Sequence, residues 1–274
     1  MSSPLLFLIK RISLDLYVLE IISYLIPFTV TLLSAIALRS NKNKGVSKDL
    51  FTVILVMACY FFFTQVVLNL DIGEIQIMTY IMYPVVGVML PTLLYVYCQS
   101  LLDEGFTIAS NYKKWIPLAA VPFASGVFAV SAIDYDTLLN IIKLQSIDTE
   151  KTIPLIYSWF AKGLNTLILP LSALFFGYKA LQKHKMLKQR YSQYYGELER
   201  ENEKYTKRLV GIFLFFFFAI GVLDFHLVEN SLAIIFMNLL NGFGAGWFYF
   251  SGSKQINMYK YRMYKLSSLH HEID

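Results

Sequence analysis

Three ionisable side chains, Glu20, Lys162 and Asp224, fall inside apolar runs of the sequence. A charged group at membrane depth is costly to hold. It faces a bundle interior or a watery cavity and takes a partner there, so such groups point to ligand binding, ion passage or proton transfer. Counted along their runs, the three lie at similar depth toward one side. Asn69, Tyr80, Tyr83, Tyr157, Asn165 and His226 fall at comparable depth, and Asn238 slightly deeper. Together these residues predict a polar cavity open on that side, in which Lys162 faces one or both carboxylates. Two competing readings stand beside it: a buried Lys–Glu or Lys–Asp pair that only fixes helix register, and carboxylates that sit among lipid headgroups.

No catalytic constellation accompanies these residues. The four histidines are His184, His226, His270 and His271, and no two stand at i,i+4 on an apolar run with a carboxylate, as a metal hydrolase requires. Asp224 and His226, two residues apart, fall on roughly opposite helix faces. There is no glycine-rich phosphate loop and no Gly-x-Ser-x-Gly elbow. An enzyme is not expected, and no metal or cofactor is implied. A retinal Schiff base at Lys162 is also not expected, because microbial rhodopsins carry that lysine in their seventh helix and the seventh run here has none.

The elements that must position these groups are seven apolar stretches within 274 residues. Crossing a bilayer as a helix takes about 20 mostly apolar residues. Composition agrees, with 56% hydrophobic and 16% charged residues and a mean hydropathy of +0.52. The expected fold is all-α, a seven-transmembrane-helix bundle spanning 16–38, 50–70, 75–101, 115–133, 154–181, 209–227 and 232–250. The bundle fills residues 1–253 and includes a helical hairpin over 182–208. A basic, Tyr-rich tail follows over 254–274. Cytoplasmic loops retain Lys and Arg. Arg39, Lys42, Lys44, Lys48, Lys113, Lys114, the 179–208 segment and the tail carry most of them. The opposite side carries Asp15, Asp71, Glu74, Asp134, Asp136, Asp148, Glu150 and Glu229. This bias places the N-terminus outside and the C-terminus in the cytoplasm. Ala35-Ile36-Ala37 resembles a signal-peptide cleavage site, but the run before it is too long for an h-region and holds Glu20.

Local signals refine the picture. The acidic loop around Leu138-Leu139-Asn140-Ile141-Ile142 predicts a short amphipathic helix capping the bundle. Glu203 to Lys207 is an i,i+4 pair that supports an inward helical hairpin. Tyr259, Tyr261 and Tyr264 among basic residues suit a helix on an anionic inner leaflet. Pro84 and Pro91 interrupt the third run and Pro170 the fifth, as hinges or as packing kinks. Gly242 and Gly246 form a small-xxx-small face for close helix contact, within the bundle or between two copies in a homo-oligomer. Cys59 and Cys98 read as small core fillers rather than a disulfide.

The segment Pro91-Thr92-Leu93-Leu94-Tyr95-Val96-Tyr97-Cys98-Gln99-Ser100-Leu101, followed by Trp115-Ile116-Pro117, resembles the sensor region of membrane-embedded bacterial AraC-type transcription regulators. The long basic loop before the sixth run is also similar. The resemblance implies a bacterial inner-membrane bundle that senses a signal and passes it inward to a helix-turn-helix domain. This chain carries only about 20 residues beyond its last run, too few for two such motifs, so direct nucleic-acid binding is not expected. The expectation is a stand-alone sensor or receptor-like module that detects a small molecule, lipid or membrane state. It would contact membrane lipids and signal to a separate cytoplasmic or membrane protein. The alternative is a small transporter or permease using the same cavity. The topology is directly checkable. A reporter active only in cytoplasm should work when fused after Asp274 and fail when inserted within 134–152; equal activity at both sites would contradict the charge bias.

Overall fold

The computed structural model describes residues 4–41, 45–68, 73–101, 116–142, 152–163, 169–190, 197–226 and 231–271. Among them every regular element is an α-helix. In chain order these are α1 (Pro4–Ser40), α2 (Val46–Leu68), α3 (Gly73–Ser100), α4 (Ile116–Ala132), α5 (Tyr135–Ile142), α6 (Thr152–Gly163), α7 (Leu169–Arg190), α8 (Glu197–His226) and α9 (Ser231–His271). Among the described residues, four stretches are long and apolar enough to cross a membrane: Val18–Ser40, Val46–Val67, Glu74–Ser100 and Ser231–Ile256. The chain is a multi-pass membrane protein. Its surface is consistent with that, since Leu33, Val56, Met78, Val121, Leu171, Phe236 and Phe243 all present exposed apolar side chains, far more than a water-facing protein leaves in contiguous patches.

Backbone groups without water to bond must be satisfied inside each helix, and several buried threonine hydroxyls follow the same rule. Thr31 donates to the Pro27 carbonyl at 2.7 Å, Thr64 to Tyr60 at 2.9 Å and Thr92 to Val88 at 3.1 Å. Each hydroxyl thus hides its donor against its own helix. Helix α3 runs unbroken through both Pro84 and Pro91.

Six helices close a ring in the order α1, α2, α3, α7, α8, α9 and back to α1, with α2 also reaching α9 across it. Helix α4 packs outside this ring against α3, and α5 and α6 pack beside α4. One end of the ring is basic, where α1, α3, α7 and the apolar part of α9 finish and α2 and α8 begin. It holds Arg39, Lys48, Lys179, Lys183, Lys204, Lys207, Arg208 and Lys254. The other end carries Glu74, Asp134 and Asp136.

The described parts of the expected fifth run are helical, as α6 and α7, and 164–168 lie outside the described residues. Pro170 is the second described residue of α7. The expected sixth run begins well inside α8, which starts twelve positions earlier at Glu197. Helix α9 absorbs the basic tail as a continuation of the same helix; its 41 residues make it about 60 Å long, about twice a hydrocarbon core. The acidic loop forms α5. The Asp134 carboxylate accepts the Thr137 N–H at 3.0 Å as an N-cap, and Leu138 and Ile141 bury against Ile77, Ile133 and Tyr157.

Helix contact is closest at glycines. A Cβ at Gly242 would come 2.7 Å from Ile26 Cγ2, and one at Gly246 3.8 Å from Val30. The small-residue face of α9 therefore lies against α1, whose Pro27 it adjoins. At Gly252 a Cβ would fall within the ring of Phe51. Gly252→Ala should therefore lower the thermal midpoint in detergent, at a cost of about 1–3 kcal/mol. Gly211→Ala, which meets open space, should hold or raise the midpoint. Matching midpoints for the two variants would contradict the packing.

Candidate functional site

The described residues of the expected cavity fall into two groups. On α1 and α9, Asn238 Nδ2 donates to Ser23 Oγ at 2.8 Å, and Ser23 Oγ donates to the Glu20 carbonyl at 2.6 Å. Glu20 is half-buried one turn from that contact. On the opposite side of α2, Tyr83 stacks on Phe61 at 4.6 Å and accepts from Gln65 Nε2 at 3.5 Å. Tyr80 and Tyr157 pack in the same apolar cluster as Ile77 and Leu138. The structure thus links Asn238 through Ser23 to the backbone carbonyl of Glu20, not to its carboxylate, and places Tyr80 and Tyr157 in one cluster. Lys162 stands in α6, and Asp224 and His226 in α8; their side chains, with Asn69 and Asn165, lie outside the described residues. Among the described residues no group of three His, Cys, Asp or Glu could hold a metal ion.

The densest polar construction lies at the basic end. Gln255 of α9, Tyr97 of α3 and Thr206 of α8 are all 0% exposed. Gln255 Nε2 donates to Thr206 Oγ1 at 2.6 Å. The Tyr97 hydroxyl is shared between Gln255 Oε1 at 3.3 Å and the Gly252 carbonyl at 3.4 Å. One network therefore ties three helices together. Phe51 of α2 closes it, 5.0 Å from the Tyr97 ring and 5.3 Å from that of Phe248. Beside it, Ser100 Oγ donates to the Tyr97 carbonyl at 2.7 Å and accepts from Ser47 Oγ at 3.0 Å. That fixes the end of α3 to the start of α2. Lys48 folds back to donate to the carbonyls of Arg39, at 3.4 Å, and Asn41, satisfying the last carbonyls of α1 with a cation where the helix dipole favours one.

The sequence pattern points to charges at the other end and passes over Tyr97, Thr206 and Gln255. Near the end of an apolar run, a Thr or a Gln reads as solvated. The signal that could have found them is the small pair Ser251-Gly252 one turn before Gln255, which lets α9 pack closely on the Phe51 ring of α2. Chemically the network makes no nucleophile or acid. It links the ring to the helical segments that continue past the basic end, because Thr206 sits on α8 between its projecting turns and its apolar ones. Those turns keep the expected pair, with Lys207 Nζ 2.7 Å from Glu203.

No protein-family model matches this chain, and neither a curated protein nor a solved structure is similar to it. The Ser23–Asn238 contact is open to direct measurement. A double-mutant cycle with Ser23→Ala and Asn238→Leu should return a coupling of about 0.6–2 kcal/mol, the range of interhelical polar contacts in membranes. Strict additivity would show that the two side chains do not interact.

Proposed function

We propose that this chain is a seven-helix sensor or receptor-like module of a bacterial cytoplasmic membrane, with its N-terminus outside and its basic end in the cytoplasm. In this reading α6 and α7 complete a fifth crossing, and α4 and α8 supply the fourth and sixth. A small molecule, lipid or membrane state acts on the polar residues toward the acidic end: Glu20, Lys162, Asp224 and their neighbours. Such a signal shifts the bundle only as far as it binds one helix arrangement better than the other.

The observation that carries the reading is the Tyr97–Gln255–Thr206 network. It joins three ring helices at the root of the projecting α7–α8 hairpin, so a shift of α9 against α3 reaches the cytoplasmic turns of α8. The likeness of Pro91–Leu101 to the sensor region of AraC-type regulators supports the same reading. It leaves the output to a separate protein. A permease would use the same charged residues as a path, but Phe51, Tyr97 and Leu209 are 0% exposed at the basic end, which favours coupling over passage.

Crosslinking mass spectrometry on native membranes tests this. A cytoplasmic regulator or kinase should crosslink to lysines within 183–207 and 254–265, and Lys162→Ala should change the yield of those crosslinks while leaving membrane insertion intact. A protein that comes out alone and drives solute flux in reconstituted vesicles would overturn the sensor reading in favour of the permease.

A further inference from the structure

Helix α8 carries a cationic face that does not pack into the ring. Arg200, Glu203, Lys204, Lys207 and Arg208 recur at i, i+3, i+4, i+7 and i+8, which places them on one side of the helix. They line an open cradle of about 460 Å³. The Lys207–Glu203 pair at 2.7 Å occupies the one carboxylate, so the cradle is strongly cationic. At 100° per residue, Gly211 and Phe215 continue the same face deeper along the helix. Phe215 is 47% exposed, and nothing lies within 4 Å of where a Gly211 Cβ would stand. The face therefore passes from a cationic cradle through a notch without a side chain to exposed apolar surface.

Its level in the membrane is marked independently. Lys254 lies over the Phe250 ring at 5.6 Å and Lys179 over the Phe175 ring at 5.7 Å. In both, a cation stands one turn beyond an exposed aromatic residue, as at a membrane–water boundary. Two contacts bring these marks level with the cradle. Gln255, next to Lys254, bonds Thr206, and Gly177, two residues before Lys179, packs against Val210. Arg208, over the Tyr205 ring at 5.5 Å, stands on the same line.

We infer that this face of α8 seats one anionic phospholipid of the inner leaflet. The phosphate lies among Lys204, Lys207 and Arg208, and an acyl chain lies along Gly211 and Phe215. A soluble acidic partner would explain the cations, but not their continuity with an open apolar notch at the boundary level.

The test is native mass spectrometry of the purified full-length chain, with phosphatidylglycerol or phosphatidylcholine of identical chains added to the micelle. Phosphatidylglycerol should be retained in preference. Lys204→Gln with Arg208→Gln should weaken its retention about thirtyfold, the factor expected for two cations at an anionic leaflet. Gly211→Leu should weaken it severalfold with the charge unchanged. Both variants should keep the lipid-free thermal midpoint, since the substituted side chains point away from the ring. Equal retention of the two lipids would overturn the site. So would a Gly211→Leu variant that binds like the parent, which would reduce the effect to diffuse charge attraction. Displacement of the lipid by inorganic phosphate or by an oligoglutamate peptide would assign the face to a soluble anion or an acidic protein instead.

Discussion

A glutamine side chain shut away from water has an amide to satisfy at both ends, and leaving either end unpaired costs about 1–3 kcal/mol. Gln255 is held in this way by Tyr97 and Thr206, which α3 and α8 bring to it. Much of the basic end depends on this one residue. For the Tyr97 hydroxyl to reach the Gly252 carbonyl, α9 must press against the Phe51 ring, and only a glycine fits there. Phe51 then stacks on Phe248, which extends the contact across the ring. The Ser47–Ser100 pair holds the ends of α2 and α3 in the register this needs.

At the basic end, polar groups from several helices meet in one connected network beneath full burial. Toward the acidic end, the described polar contacts lie on either side of α2, with Asn238 on Ser23 and Gln65 on Tyr83. In the proposed reading, an event near the acidic end is read out through the turns of α8 that continue past the basic network.

Much of the architecture was legible in the chain because hydropathy and helix geometry act locally. Glu74–Ser100 is apolar for its whole length, and no tertiary contact is needed to make it a helix. The α5 cap was legible from Leu138 to Ile142 for a similar reason, since its amphipathic spacing needs only a surface to bury against. The basic-end network was not. Buried polar contacts between helices distant in sequence leave no period, and Thr206 and Gln255 lie where an apolar run gives way to charge. Rules about intramembrane charge drew attention instead to Glu20, Lys162 and Asp224. The glycine face was legible as a packing device, while its partner, α1 at Ile26 and Pro27, was not.

Hydrogen–deuterium exchange on the full chain in lipid nanodiscs, comparing the parent with Gln255→Leu, tests the central claim most directly. If the network clamps the projecting turns to the ring, amide protection should fall across 197–210 of α8 and beyond Gly252 in α9, while α4 and α5 stay protected as before. Unchanged protection at 197–210, or a loss spread evenly over all helices, would contradict it.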